Sequence, residues 1–192
     1  MRIALVGGAG FVGHHLALRL RRDGHEILVA DNLAVNNELN LLERRDGDWT
    51  DFYLRCVRSR ASIWHDAGCD FRYTDARDYH GLSRKLSAWR PDAIVHLAAV
   101  AHITLTRADQ HLAFENSIIT LKNALDVAEA CGVRRLVYFS SSTVYGNFRK
   151  AMVDETDDLY PDTTYGAFKL VGELLVKSWQ RDKGLDSTIV RP

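Results

Sequence analysis

A doubly wound α/β fold, one parallel sheet with helices on both faces, is what this 192-residue sequence predicts. Three observations carry the prediction. Apolar runs of strand length alternate with segments of helical period along the chain. The first run, Ile3–Val6, enters a turn bearing Gly7, Gly10 and Gly13, and a helical pattern follows at once. The second run, Ile27–Ala30, ends on an acidic residue, Asp31. With 46% hydrophobic and 26% charged residues, the chain can build one domain around its own core.

Strands are expected at Ile3–Val6, Ile27–Ala30, Phe71–Tyr73, Ala93–Leu97, Leu136–Ser140 and Thr188–Val190. Each is short and nearly continuous in apolar residues, as strands covered on both faces must be. Helices are expected near Phe11–Arg22, Tyr79–Trp89, His111–Cys131 and Tyr165–Lys183. Gly24, Gly132 and Gly184 stand just past three of them, where a left-handed cap ends a helix. The alternation gives a Rossmann-type sheet of strand order 3-2-1-4-5-6. Residues 32–69 form an unusually long connection, with helical pieces near Glu38–Arg45 and Phe52–Asp66. Trp49, Phe52, Tyr53 and Trp64 read as local packing there.

The glycine turn, Gly7-Gly8-Ala9-Gly10-Phe11-Val12-Gly13, has the strand–turn–helix setting of a dinucleotide-phosphate site. Its first glycine permits the tight turn, its second lets backbone approach a pyrophosphate, and its third lets helix and strand pack closely. The helix N-terminus offers unpaired N–H groups to the phosphate charge. Asp31 lies 18 positions after Gly13, where a carboxylate accepts hydrogen bonds from the adenosine ribose. The same charge repels a 2′-phosphate, so NAD is favoured over NADP.

Composition narrows the function classes. Lys plus Arg and Asp plus Glu number 25 each, so net charge gives no support for binding nucleic acid or an anionic membrane. No apolar run approaches the roughly 20 residues of a membrane span. The sequence enters a strand directly, so no signal peptide is expected. Cys56, Cys69 and Cys131 are odd in number and scattered, which suggests a reducing, cytoplasmic setting. Cys131 reads as a buried small apolar residue. The eight histidines show no ligand spacing, so no metal is assigned.

The second half carries candidate chemistry. Ser140-Ser141-Ser142-Thr143-Val144-Tyr145-Gly146 follows the fifth strand, and Tyr165-Gly166-Ala167-Phe168-Lys169 opens the last long helix. Tyr165 and Lys169, four apart, share a helix face. A nearby ammonium and a cationic nicotinamide both favour the phenolate, so Tyr165 could act as a general base at neutral pH. Ser141, at the carboxyl end of a strand where open α/β sheets bind ligands, could hydrogen-bond the same substrate oxygen. Ser142 and Thr143 are further substrate-contact candidates, as are His102 and Thr104 after the fourth strand.

On these residues the chain resembles the NAD-dependent epimerase/dehydratase family of extended short-chain dehydrogenases/reductases, nearest in motif to UDP-glucose 4-epimerase-like members. The resemblance runs from Arg2 to Pro192. Gly7, Gly10, Phe11, Val12 and Gly13 fall on the family's glycine motif, with Val6 where a threonine is frequent. Asp31-Asn32-Leu33 falls on its ribose segment. Asp75-Ala76 falls on the stretch after the third strand whose Asp contacts adenine, and His96-Leu97-Ala98-Ala99 on the fourth-strand motif lining the cofactor. His96 reads as a satisfied core histidine. Asn116 falls on the helix asparagine that organises this region, and Ser141, Tyr165 and Lys169 on the catalytic serine, tyrosine and lysine.

The resemblance implies bound NAD, a UDP-sugar substrate and a transient 4-keto sugar. Tyr165 takes the sugar hydroxyl's proton, and Lys169 holds the ribose and lowers the tyrosine's pKa. Sugar dehydratases of the family carry Asp-Glu directly after the catalytic hydroxyl residue; Ser142-Thr143 stands here, which disfavours dehydration. Family members also dimerise through helices equivalent to residues 111–131 and 165–183. The apolar positions Leu121, Leu125, Leu170 and Leu174 suit either a homodimer or sheet packing. In the family, Arg191-Pro192 leads into a C-terminal part that carries most of the substrate site. Two expectations follow for residues 1–192: the NAD-binding portion of an epimerase, or an NAD-binding module or subunit without catalysis. A nucleotide-sugar reductase or dehydratase of the same family is a further alternative.

Overall fold

The computed structural model describes residues 1–35, 48–100 and 103–192, the side chains of residues 48 and 49 excepted. The expected helix at Glu38–Arg45, and His102, lie outside the described residues. The six strands are β1 (Arg2–Val6), β2 (Glu26–Asp31), β3 (Asp70–Tyr73), β4 (Ala93–His96), β5 (Arg135–Phe139) and β6 (Asp186–Val190). They form one parallel sheet in the expected order, β3-β2-β1-β4-β5-β6. Register is set by the pleat. Ile3 and Leu5 of β1 point to one face and Ala4 and Val6 to the other, and β2 pairs Ile3 with Ile27 and Val6 with Ala30.

On one face, α1 (Phe11–Arg22) and α2 (Asp48–Asp66) cover a cluster of Ile3, Leu5, Ala17, Ile27, Val29, Trp64 and Val95. On the other, α3 (Tyr79–Trp89), α6 (Thr120–Ala130) and α7 (Thr164–Lys183) cover Ala4, Val6, Leu28, Leu86, Ile94, Leu125, Leu136 and Val176. Leu121 and Leu125 are fully buried and belong to sheet packing, whereas Leu174 is exposed on α7. Gly24, Gly132 and Gly184 all have positive φ, as their places past helix ends require.

Four details depart from the sequence reading. First, α2 begins four residues before Phe52 and runs 19 residues. Trp64 is buried and stacks on Phe71, whereas Phe52 and Tyr53 meet edge-on and are half exposed. Second, the expected helix over His111–Cys131 is three pieces: α5 (Gln110–Phe114), a π-helical turn (Glu115–Ile119) and α6. The Asn116 amide donates to the Leu112 carbonyl and the Thr120 hydroxyl to the Asn116 carbonyl, so side chains bond the backbone of the widened turn. Third, a short helix, α4 (Ile103–Ala108), precedes α5 and carries Thr104 on its exposed side. Fourth, Cys131 is only half buried, with its Sγ 3.2 Å from the Ser87 hydroxyl. No helix among the described residues is long and apolar enough to cross a membrane.

Candidate active site

The glycine turn brings three strands' ends together. Gly7 has φ 78°, and a Cβ there would lie 2.5 Å from the Ala98 amide nitrogen. The segment after β4 therefore rests directly on the turn, and Leu97 and Ala98 both donate backbone N–H groups to the Val6 carbonyl. A Cβ on Gly13 would meet the Gly8 carbonyl oxygen at 2.4 Å, so α1 sits down on the turn without room for a side chain. Gly10 differs: the nearest atom to a Cβ there is the Gly7 oxygen at 3.9 Å. It begins α1 with no side-chain cap, and the first turn holds no acidic residue. Among the described residues the first amides of α1 thus have no side-chain cap, and the positive end of the helix lies beside exposed Phe11 and Val12.

Asp31 closes this end. Its Oδ2 accepts the Ala9 amide at 2.9 Å and its Oδ1 the Leu33 amide at 2.7 Å. Burial pushes the carboxyl upward and these two N–H groups pull it back. Each oxygen accepts one bond here and has capacity for a second. Asn32 reaches across to Asp75 at 3.3 Å. Asp75 is also gripped by Arg77 at 2.7 Å, which holds its carboxyl down to about 2, and Arg77 bridges on to Glu115 in the π-helical turn at 3.1 Å. Ala76 is buried, and the Asn123 amide donates to the Ala76 and Arg77 carbonyls, both at 2.9 Å. Nothing in the sequence singled out Asn123 or Arg77 for these tasks.

His96 is buried at the end of β4, with Nε2 3.2 Å from the Thr120 hydroxyl and Nδ1 unpartnered among the described residues. It is therefore half satisfied, contrary to the sequence reading, and burial lowers it to about 3, so the ring stays neutral. Thr120, rather than Asn116, ties this helix to the strand end. Among the described residues, the Asn116 side chain bonds its own helix, through Leu112. Ala99 is half exposed beside Ala98.

The third group lies at the end of β5. Ser141 begins the 3₁₀ turn Ser142–Tyr145, and its Oγ accepts the Thr143 amide at 3.3 Å. Thr163 caps α7 by accepting the Gly166 amide, which places Tyr165 and Lys169 in the helix's first turns. A Cβ on Gly166 would lie 2.6 Å from the Thr143 carbonyl oxygen, so this helix start sits hard against the serine turn. The Ser141 side chain pulls the Tyr165 phenol toward its ionised form. Thr143 Oγ1 is buried with no partner among the described residues, and the Ser142 amide donates to the Pro192 carbonyl at 3.0 Å.

Lys169 is buried, and its Nζ donates to the Phe139 carbonyl at 2.7 Å. Burial brings its ammonium down to about 8, so it is largely cationic at neutral pH. Its Nζ lies 5.9 Å from the centre of the Tyr165 ring. The expected lowering of the phenol by Lys169 does not appear. Burial raises Tyr165 above its ordinary value, and only Ser141 counters it. Helical spacing put both residues on one face, but the carbonyl of Phe139 claims the ammonium.

A strand–glycine turn–helix unit, an aspartate at the end of β2, and Ser141 after β5 beside Tyr165 and Lys169 on α7 are the features of a dinucleotide-binding domain of short-chain dehydrogenase type. More specifically, residues 3–192 match the NAD dependent epimerase/dehydratase family, and the chain belongs to it. Among curated relatives, it is 33% identical over 172 residues to UDP-glucose 4-epimerase 1 of Oryza sativa subsp. japonica, covering 89% of this chain and 44% of that protein. It is 28% identical over 176 residues to the UDP-glucose 4-epimerase of Lacticaseibacillus casei, covering 92% and 46%. The Thermus thermophilus UDP-glucose 4-epimerase, solved with NAD, superposes with a TM-score of 0.81 at 28% identity, over 100% of this chain and 54% of that one. The Stenotrophomonas maltophila enzyme, solved with NAD and formylated UDP-arabinopyranose, gives 0.82 at 26% identity, over 100% and 52%. The chain thus spans about half the length of the relatives it matches.

Proposed function

We propose that this chain is the NAD-binding and acid–base portion, residues 1–192, of a cytoplasmic UDP-sugar 4-epimerase in which Tyr165 is the base. The observation that carries the reading is the packing of the α7 start, which bears Tyr165, on the serine turn at the carboxyl end of β5, where a Gly166 Cβ would lie 2.6 Å from the Thr143 carbonyl oxygen, with buried Lys169 one turn further along α7.

The residues fit NAD. Gly10 leaves a space where a Cβ would otherwise stand, in front of uncapped amides. Gly7, Gly10, Phe11, Val12 and Gly13 hold the pyrophosphate, and Asp31 and Asn32 the adenosine ribose. Asp75 and Ala76 border the adenine. Leu97, Ala98, Ala99 and Asn116 line the middle, and Tyr165 and Lys169 the nicotinamide ribose. When bound, NAD supplies hydride exchange at the sugar carbon.

The Tyr165 oxygen takes the proton of the sugar C4 hydroxyl as that carbon becomes a ketone, and returns it to the same oxygen after the ring presents its other face. Ser141 holds the sugar oxygen within reach of Tyr165, and Lys169 keeps a positive charge near the phenolate. Ser142 and Thr143 add substrate contacts, and the unpartnered Thr143 hydroxyl supports that role. Neither is an effective acid at neutral pH, so elimination of water lacks its proton donor. A second reading, an NAD-binding module without turnover, is supported by Lys169, whose ammonium is held by the Phe139 carbonyl and does not lower the Tyr165 phenol.

The test is incubation of the full-length protein with NAD and UDP-glucose, followed by NMR. The C4 epimer is expected without net accumulation of reduced cofactor. Stoichiometric reduced cofactor with a keto product would support a reductase instead, and no product the second reading. Because Asp31 repels a 2′-phosphate, calorimetry on residues 1–192 should find NAD bound at least about tenfold more tightly than NADP, the scale of a like-charge contact. Tighter NADP binding would remove Asp31 from ribose recognition.

A further inference from the structure

Behind Ser141 lies a set of buried polar groups that cofactor binding and proton transfer leave unused. Glu173, one turn past Lys169 on α7, has no exposed surface. Its Oε1 accepts the Ser140 hydroxyl at 2.6 Å and Arg191 Nε at 2.8 Å, and its Oε2 accepts Arg191 Nη2 at 2.7 Å. The remaining arm of Arg191, Nη1, donates to the Tyr145 hydroxyl at 2.7 Å, and the guanidinium lies over that ring. Two backbone bonds run parallel to these: the Ser140 amide to the Val190 carbonyl at 2.8 Å and the Ser142 amide to the Pro192 carbonyl at 3.0 Å.

Residues on both sides of Ser141 are therefore tied down, Ser140 by Glu173 and β6, Ser142 by Pro192, and Tyr145 by Arg191. Among the described residues the Ser141 hydroxyl has one hydrogen-bond partner, the Thr143 amide, and the α7 start that carries Tyr165 packs on this turn, a Gly166 Cβ lying 2.6 Å from the Thr143 carbonyl oxygen. We propose that the buried Glu173–Arg191 pair is a positioning device that fixes Ser141 against Tyr165. A largely desolvated, forked ion pair is a costly way to add stability, because apolar residues of similar volume do as well or better. It is a good way to impose one orientation, since the planar guanidinium fixes both of its partners.

The inference rests on reading Tyr165 and Ser141 as an acting pair, and its test reads their geometry rather than turnover. With ¹³Cζ-labelled tyrosine, the Tyr165 resonance is assigned by its loss in Tyr165→Phe and titrated in residues 1–192. Replacing Glu173 alone would strand the Arg191 charge and endanger folding. The double variant Glu173→Met, Arg191→Met removes both charges, so the net field on Tyr165 and its titratable neighbours Lys169 and Tyr138 changes little. Ser140→Ala cuts only the link to Glu173 and leaves every charge in place. Both variants should hold the Tyr165 proton more tightly, by about tenfold where the influence of Ser141 on the phenol is lost entirely, one pH unit in the midpoint. In the full-length protein kcat should fall about as much while KM moves less than about threefold, the pattern of a lost transition-state interaction. Unchanged Tyr165 midpoints in the folded variants would overturn the proposal, and Ser140→Ala alone decides it if the double variant does not fold. Normal turnover of Tyr165→Phe would instead sink the base assignment, a separate outcome.

Discussion

Tyr165→Phe is expected to lower turnover of the full-length protein by about 10²–10⁴-fold, the range a positioned general base contributes. NAD affinity should stay within about fivefold, since one ordinary hydrogen bond is at stake. Burial raises the phenol above its ordinary value, and Ser141 pulls it partly back. Proton abstraction at neutral pH therefore needs a positive charge near the oxygen once the site is assembled. Lys169 is cationic below about 8, but it is turned to the Phe139 carbonyl. A phenylalanine keeps the ring's packing and removes only the oxygen that moves the proton. Steady-state kinetics beside calorimetry checks both halves of the expectation. Turnover within tenfold of the unsubstituted protein would exclude Tyr165 as the base.

The second large effect separates glycines that sequence alone treats alike. Gly7→Ala must place a Cβ 2.5 Å from the Ala98 nitrogen at a φ of 78°. Left-handed backbone costs about 1–2 kcal/mol and an overpacked contact about 1–3, so a loss of roughly 2–5 kcal/mol is expected. For a domain of this size, that lowers the melting temperature by about 5–15 °C, and NAD binding fails with the turn. Gly10→Ala meets nothing closer than 3.9 Å and has an ordinary φ of −71°. It should melt no lower than the unsubstituted chain, with a gain of up to about 1 kcal/mol from reduced unfolded-state freedom. Its NAD affinity should nonetheless fall at least about tenfold, because the methyl stands where the pyrophosphate approaches. Thermal melts and calorimetry on the two variants test the pair. Equal destabilisation of both would show that the space at Gly10 is not a ligand cradle.

Much of this architecture was legible because it is periodic. Ile3–Val6 and Ile27–Ala30 are apolar throughout, and Ala93–Leu97 is so but for His96, because both faces of the central strands are covered, and the order of the sheet follows from their alternation with helices. The glycine turn, Asp31 and the Tyr165–Lys169 spacing were legible because each depends on neighbours in sequence. The π-helical turn at Glu115–Ile119 was not, since one extra residue in a helix hardly alters an apolar pattern. The Asp75–Arg77–Glu115 bridge was partly open to view, with Asp75 and Arg77 two apart but Glu115 on another element. The Glu173–Arg191 pair spans 18 residues and two elements, so only a hint existed: a glutamate one turn after Lys169 on a helix face otherwise committed to burial. Arg191 itself read only as half of the Arg191-Pro192 pair just after the sixth strand. The orientation of Lys169 was misjudged because spacing assigns a face and leaves the hydrogen-bond acceptor open.

The most direct measurement of the central claim is the fate of a label at the sugar carbon. UDP-glucose carrying deuterium at C4 is converted by the full-length protein in ordinary water with NAD present, and the C4 epimer is analysed by NMR and mass spectrometry. Transient oxidation with return of the same hydride predicts an epimer that keeps its deuterium at C4. An epimer that has exchanged deuterium for solvent hydrogen would contradict the account, because the C4 hydrogen would then have left as a proton.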